Sequence, residues 1–184
     1  MRRLFVGWVA TGPSRAALAA AREALRTRLP QRGIRWVADA DLHLTLRFLG
    51  QTAPESAARV ADALPRIAAG RRRLRVQAGA PCAWPSAAGP RVLVVEVESG
   101  GALEALATEL DVALRACGVA TEPRRFRAHI TLARVDAGAP ADGDLSGLPA
   151  AGEIELDRLA LVDSAPRADG TRYREVAGFA LGGG

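Results

Sequence analysis

Apolar and polar positions change period several times along the chain, and each change marks an element. Leu4 to Ala10 is an unbroken apolar run that predicts a first β-strand. From Thr11 to Pro30 the period becomes helical: Leu18, Leu25 and Leu29 share a face, Pro13 suits the first turn and Pro30 stops it. A short strand over 34–37 and a longer one containing HLTLRFLG, residues 43–50, come next. Residues 53–69 predict a second helix with Val60, Leu64 and Ile67 on its apolar face, kinked or split at Pro65. RLRVQAG (73–79) and RVLVVEV (91–97) read as strands around a loop rich in Gly, Pro and Ala. Leu103, Leu106, Leu110, Leu114 and Cys117 recur at helical spacing over 101–118, and Gly118 ends that helix. HITLARV (129–135) is a strand, 136–152 a polar connection, and 153–164 with 171–181 a hairpin turning at Asp169-Gly170.

Strands that follow one another this closely favour an antiparallel α+β arrangement. The order of helix, His-containing strand and further strands occurs twice, with the two histidines 86 positions apart. Two pseudo-symmetric lobes within one domain spanning 1–184 account for that repeat.

Composition changes the picture little. A net charge of +5 permits a polyanionic partner such as RNA or a nucleotide. All 25 basic residues are Arg, however, and Ala, Gly and Pro are abundant, as a GC-rich coding sequence produces without selection for binding. Cys82 and Cys117 form neither a metal-ligand spacing nor a disulfide framework, so a reducing cytoplasm is expected. The apolar run after Arg2-Arg3 is short for a signal peptide, and no stretch approaches the ~20 apolar residues that span a membrane.

The chemistry lies in the chain's two histidines, both of which precede x-Thr-Leu. Strand alternation puts His43, Thr45 and Arg47 on one face, opposite Leu44, Leu46 and Phe48. Arg127, His129 and Thr131 likewise share a face, opposite Ile130 and Leu132. Two such faces across a groove would set an imidazole on either side of a ligand, one as base and one as acid. The threonines, helped by arginine, would donate to phosphate oxygens. Arg127 has the right parity for that task, whereas Arg134 has the wrong parity and needs a bulge or strand end to re-aim it. Phe48 falls with the core leucines. Arg71 to Arg73 reads as an exposed edge, and Trp36 and Trp84 as loop anchors before base-stacking groups. Two histidines without a carboxylate on either face are too few for a metal site, so neither metal nor cofactor is expected.

At these residues the chain resembles the two-histidine (2H) phosphoesterase superfamily, defined by paired His-x-Thr-x motifs. Within it, RLFVGW, LHLTLRFLG, PRVLVVEV, RRFRAHITLAR and a closing pattern from Ser164 to Tyr173 resemble the RNA 2′,3′-cyclic phosphodiesterases, also called 2′-5′ RNA ligases (the ThpR or LigT family). The resemblance implies two antiparallel-sheet lobes with outer helices around a central groove. It also implies metal-independent opening of a terminal RNA 2′,3′-cyclic phosphate to a 2′-phosphate, with 2′-5′ ligation as the reverse chemistry. His43 would be the proton donor to the departing 3′ oxygen and His129 the acceptor that activates water. Thr45, Thr131 and Arg134 would hold the phosphate. Ala128, where the family has proline, and Gly7-Trp8 in the first strand depart from the pattern. The partner implied is an RNA end or related nucleotide, bound by a monomer. The alternatives are a nucleotide-binding module without turnover, and a 2H enzyme acting on another cyclic or 2′-5′-linked nucleotide.

Overall fold

A computed structural model describes residues 1–121, 125–139, 143–164 and 173–182. The predicted Asp169-Gly170 turn lies outside them. In chain order the elements are β1 (Arg2–Val9), α1 (Gly12–Arg26), β2 (Ile34–Trp36), β3 (His43–Thr52), α2 (Pro54–Ala69), β4 (Leu74–Trp84), β5 (Val92–Glu98), α3 (Ala102–Ala116), β6 (His129–Val135), β7 (Gly152–Leu156), β8 (Arg158–Asp163) and β9 (Arg174–Ala180).

The strands form an antiparallel sheet in the order β7-β4-β5-β6-β3-β1-β8-β9, with β2 also paired to β6. Its centre is the seam between β3 and β6, where Leu44 pairs with Ile130, the residues that follow the two histidines. The two His strands meet as neighbours at the centre of the sheet, and both line one cleft, in keeping with the two-lobed plan. One half of the sheet joins the two ends of the chain, since β1 and β3 lie beside β8 and β9, while the other, β4 to β7, comes from its middle. The helices cross between the halves: α1 leaves β1 and packs on β7 and β4, whereas α3 leaves β5 and packs on β3. This exchange buries apolar surface across the seam. Leu18 and Leu25 of α1 and Leu103, Leu106 and Leu110 of α3 are fully enclosed, each contributing about 1.5–3 kcal/mol.

Four elements differ from their sequence-based expectation. First, α2 continues through Pro65. That residue is exposed, and buried Val60, Leu64, Ile67 and Ala68 hold the helix to the sheet on both sides of it, which outweighs one lost hydrogen bond. Second, β4 runs on to Trp84 through much of the expected loop, absorbing Gly79 and Ala80 as an irregularity before Pro81. Third, the predicted strand over 153–164 is two strands broken at Asp157, with β7 on β4 and β8 between β1 and β9. Trp8 marks that break: fully buried, it donates its indole N–H to Asp157 Oδ1 at 3.1 Å. Fourth, β3 is bulged, which redirects two of its side chains as described below.

Candidate active site

The site is assembled at the seam. His43 and Thr45 flank Leu44, and His129 and Thr131 flank Ile130, so the single Leu44–Ile130 pair brings the four groups toward one area. All four line a cleft of about 750 Å3.

Both rings are held in the same way. His43 Nδ1 lies 2.6 Å from the Asp41 carbonyl oxygen, and His129 Nδ1 lies 2.8 Å from the Arg127 carbonyl oxygen, two residues upstream in each case. A carbonyl only accepts, so Nδ1 carries the proton and Nε2 is left as the acceptor of the neutral ring. Their surroundings differ. His43 is 9 % exposed, between Phe5 (ring centroids 5.0 Å apart) and Tyr173 (4.4 Å). His129 is half-buried against Trp84 at 4.6 Å. Burial pushes the His43 imidazole down to about 4, with Arg134 and a charge on His129 acting in the same direction and the Asp41 carbonyl opposing them. His129 is also lowered, chiefly by burial, with Arg127 and Arg134 adding to it. Two neutral imidazoles at neutral pH follow.

Bulges decide which other side chains join them. In the β5–β6 ladder, Val94 pairs with Thr131 and Leu93 with Ala133, so Leu132 is an extra residue. The insertion reverses alternation beyond it and brings Arg134 onto the face of His129 and Thr131. Arg134 lines the cleft, where no carboxylate pairs with it among the described residues. In the β1–β3 ladder, Gly7 pairs with Thr45 and Val6 with Arg47, so Leu46 is the corresponding extra residue. Each bulge falls three positions after a histidine. Beyond Leu46, Arg47 swings away from His43, contrary to its sequence parity, and grips Asp111 of α3 through Nε and Nη2 at 2.6 and 2.7 Å. Phe48 turns out of the core, is 47 % exposed and lines the cleft, again contrary to its parity.

Arg127 takes a separate place. Its Nη2 donates to Glu96 Oε1 at 2.9 Å and its guanidinium stacks 4.0 Å over Trp84. It lines an adjoining pocket with His129, Trp84 and Phe126, not the central cleft. Trp36 donates to Gln31 and packs against the core, and Arg71 and Arg73 pair with Glu109 and Glu155. The alternation rule missed Phe48 and Tyr173. A signal for Phe48 was present: buried leucines at 44, 46 and 49 change spacing from two to three. Tyr173 arrives from the distant C-terminal strand region, signalled only by the closing pattern of the family resemblance and not by alternation. The two departures from the family pattern are accommodated. An added Cβ on Gly7 would sit 2.2 Å from the Leu44 carbonyl oxygen, so the close approach of β1 and β3 needs glycine there. Ala128 is buried and its carbonyl accepts from the Val97 N–H.

Among the described residues no group of three His, Cys, Asp or Glu side chains is placed to hold a metal ion, and no helix is long and apolar enough to cross a membrane.

A curled antiparallel sheet whose paired His-x-Thr strands meet at its centre, with an arginine that has no carboxylate partner among the described residues lining the same cleft, defines a phosphoesterase of the two-histidine class. Comparison with known proteins narrows this. The profile described as "LigT like Phosphoesterase" matches residues 9–94 and again 95–173, one copy around each histidine. An RNA 2′,3′-cyclic phosphodiesterase of Aeropyrum pernix is 30% identical over 135 residues, covering 72% of this chain and 76% of its own. One of the same name from Archaeoglobus fulgidus is 27% identical over 150 residues, 80% of this chain and 84% of its own. In the solved structures, TT0787 of Thermus thermophilus superposes with a TM-score of 0.80 at 31% identity over 98% of each chain. E. coli LigT superposes with a TM-score of 0.71 at 24% identity, over 98% of this chain and 97% of its own. The chain belongs to the LigT-like phosphoesterase family.

Proposed function

We propose that the protein is an RNA 2′,3′-cyclic phosphodiesterase, converting a terminal cyclic phosphate to a 2′-phosphate with its own side chains as acid and base. The observation that carries this reading is the twin set of Nδ1–carbonyl contacts, which leaves two Nε2 atoms as the proton-exchanging groups of one cleft. His129 takes a proton from the attacking water as the new P–O bond forms. His43 delivers a proton to the 3′ oxygen as the P–O3′ bond breaks, and the phosphate remains on the 2′ oxygen. Thr45, Thr131 and Arg134 donate to the non-bridging oxygens, where negative charge builds in the transition state. Arg127 contributes from the adjoining pocket.

Protonation of His43 needs help, because its ring is held down to about 4 in the ligand-free protein. The phosphate anion supplies it. Burial is the larger cause of that lowering; seated beside the rings, the anion offsets the smaller Arg134 contribution and favours an imidazolium by its own charge. Substrate binding is thus coupled to proton uptake, and the acid is armed only in the complex. Joining to a 5′-hydroxyl end is the reverse of the same displacement, and ~55 M water makes hydrolysis the net direction. The protein works as one two-lobed domain over 1–184 and as a monomer, since both histidines come from one chain. The unpaired cysteines Cys82 and Cys117 fit the cytoplasm.

The test is direct. Purified protein with an RNA ending in a 2′,3′-cyclic phosphate should release a 2′-phosphate end, with EDTA without effect. A 3′-phosphate product, or loss of turnover with chelator, contradicts the proposal.

A further inference from the structure

The reacting phosphate belongs to the last nucleotide of a strand, so the rest of that strand has to leave the cleft, and the two ways out differ in charge. Beyond His129 the adjoining pocket leads into one lined by Glu96, Glu98 and Glu104, and Glu96 already holds Arg127. Beyond Thr45 the cleft runs along β1 and β3 to Arg2, Arg3, Gln51 and Ser164, and then meets a shallow depression that Arg3 also borders. No described residue lining the cleft or that depression is Asp or Glu. Carboxylates within a Debye length of ~8 Å repel a phosphodiester chain, whereas arginines attract it.

Arg3 is fixed at that exit by its backbone. Its carbonyl accepts from the Ser164 N–H at 2.8 Å and from the Ser164 hydroxyl at 3.0 Å, while its ladder partner on β3 is Gln51. Its exposed side chain has no carboxylate partner among the described residues, whereas the neighbouring Arg2 has Nε 3.5 Å from Oδ2 of buried Asp163. Gln51 is six positions beyond Thr45, and with Leu46 and Leu49 extra in the register the two are about 13 Å apart along β3. The foot of Arg3 therefore stands well away from the phosphorus between the histidines. Arg134 serves that phosphorus, which leaves Arg3 for a second anionic group of the same ligand.

We infer that Arg3 is the upstream phosphate contact of the RNA strand: the chain on the 5′ side of the cyclic end runs along β1 and β3 and places one of its phosphodiesters on the Arg3 guanidinium. This rests on the phosphodiesterase reading above and deepens it. The ligand class is a single-stranded oligoribonucleotide with a 2′,3′-cyclic phosphate end, preferred over the mononucleotide of the same base. The contact positions the strand without reading its sequence, as phosphate contacts do.

The experiment compares kcat/KM for a triadenylate ending in a 2′,3′-cyclic phosphate with that for adenosine 2′,3′-cyclic phosphate. In the unaltered protein the oligomer should be preferred by about tenfold at low salt, the lower end for a hydrogen bond to a charged group. That preference should shrink as salt rises. Arg3→Gln should collapse it, mainly through KM for the oligomer, and flatten its salt slope by about 0.7, the value for one phosphate of a single strand. Arg3→Lys should keep most of it. Arg75→Gln, which removes the same charge from the exposed surface of β4, should leave the ratio alone. A ratio unmoved by Arg3→Gln, or lowered as much by Arg75→Gln, overturns the track. If the unaltered protein opens both compounds equally well at low salt, the track falls while the phosphodiesterase reading stands. If it opens neither, that reading falls and the track with it.

Discussion

The strands β3 and β6 carry the same motif, the same ring tether and the same bulge, yet they end in different hands. After His129 the bulge delivers a cation, Arg134, and leaves small Ala133 in the core. After His43 it delivers an aromatic ring, Phe48, and sends Arg47 back to α3, where Asp111 holds it. The rings differ too, with His43 enclosed by aromatic groups and His129 half open. A duplicated scaffold thus fixes where groups point, and the residue at each position decides what they do. On the proposed reading, acid, base and phosphate clamp follow from that division.

The comparison breaks most visibly if one histidine is dispensable. His43→Ala and His129→Ala should each lower kcat by about 10²–10⁴ at pH 7, the range for a positioned acid or base. The double variant should be little worse than the poorer single one, because the pair acts as a unit. Rate measurements that simply multiply would show the two rings working independently. Arg134→Ala should cost about 10²–10³ in kcat/KM, and Arg134→Lys should restore only part, since a point charge lacks the planar fork.

The counterpart of Arg134's freedom is Arg47's confinement, with side chains 10% and 18% exposed for Arg47 and Asp111. Asp111→Ala strands a buried guanidinium and should destabilise the fold by about 3 kcal/mol in urea unfolding, at the lower end for a broken enclosed pair. The Arg47 contact also holds the Asp111 carboxyl below its ordinary range. That support is present above the usual carboxylate pKa and is lost as pH falls through the lowered one.

His43 gives a pH signature of opposite origin. The unfolded chain takes up a proton near 6.5, whereas the folded ring resists until about 4. Stability contributed by keeping that ring neutral is complete above 6.5 and lost as pH falls from there to about 4, by about 3 kcal/mol. His43→Gln should flatten that part of the stability curve, and His129→Gln should flatten it less. Equal effects would mean that the two environments do not differ as described. The smallest effect concerns the break at Asp157: Trp8→Phe loses one indole hydrogen bond and should cost about 1 kcal/mol, read as a lower thermal midpoint with activity largely kept.

Much of this was legible in the chain. The helices over α1 and α3, both His strands and the duplicated plan follow from period, punctuation and the placement of two histidines. Local sequence suffices for these because a residue's face in an undisturbed strand depends only on its neighbours along the chain. The bulges at Leu46 and Leu132 are different, being mismatches in length between two paired strands, hinted at in β3 only by the change in leucine spacing. They reversed the expected orientation of Arg47, Phe48 and Arg134. The split at Asp157, the placing of Tyr173 beside His43 and the aside position of Arg127 were likewise set by contacts between residues far apart in sequence. What the sequence alone determined was the two His-x-Thr strands and the groups proposed to react; tertiary pairing decided which others reach them, because alternation is a local property and register is a relation between strands.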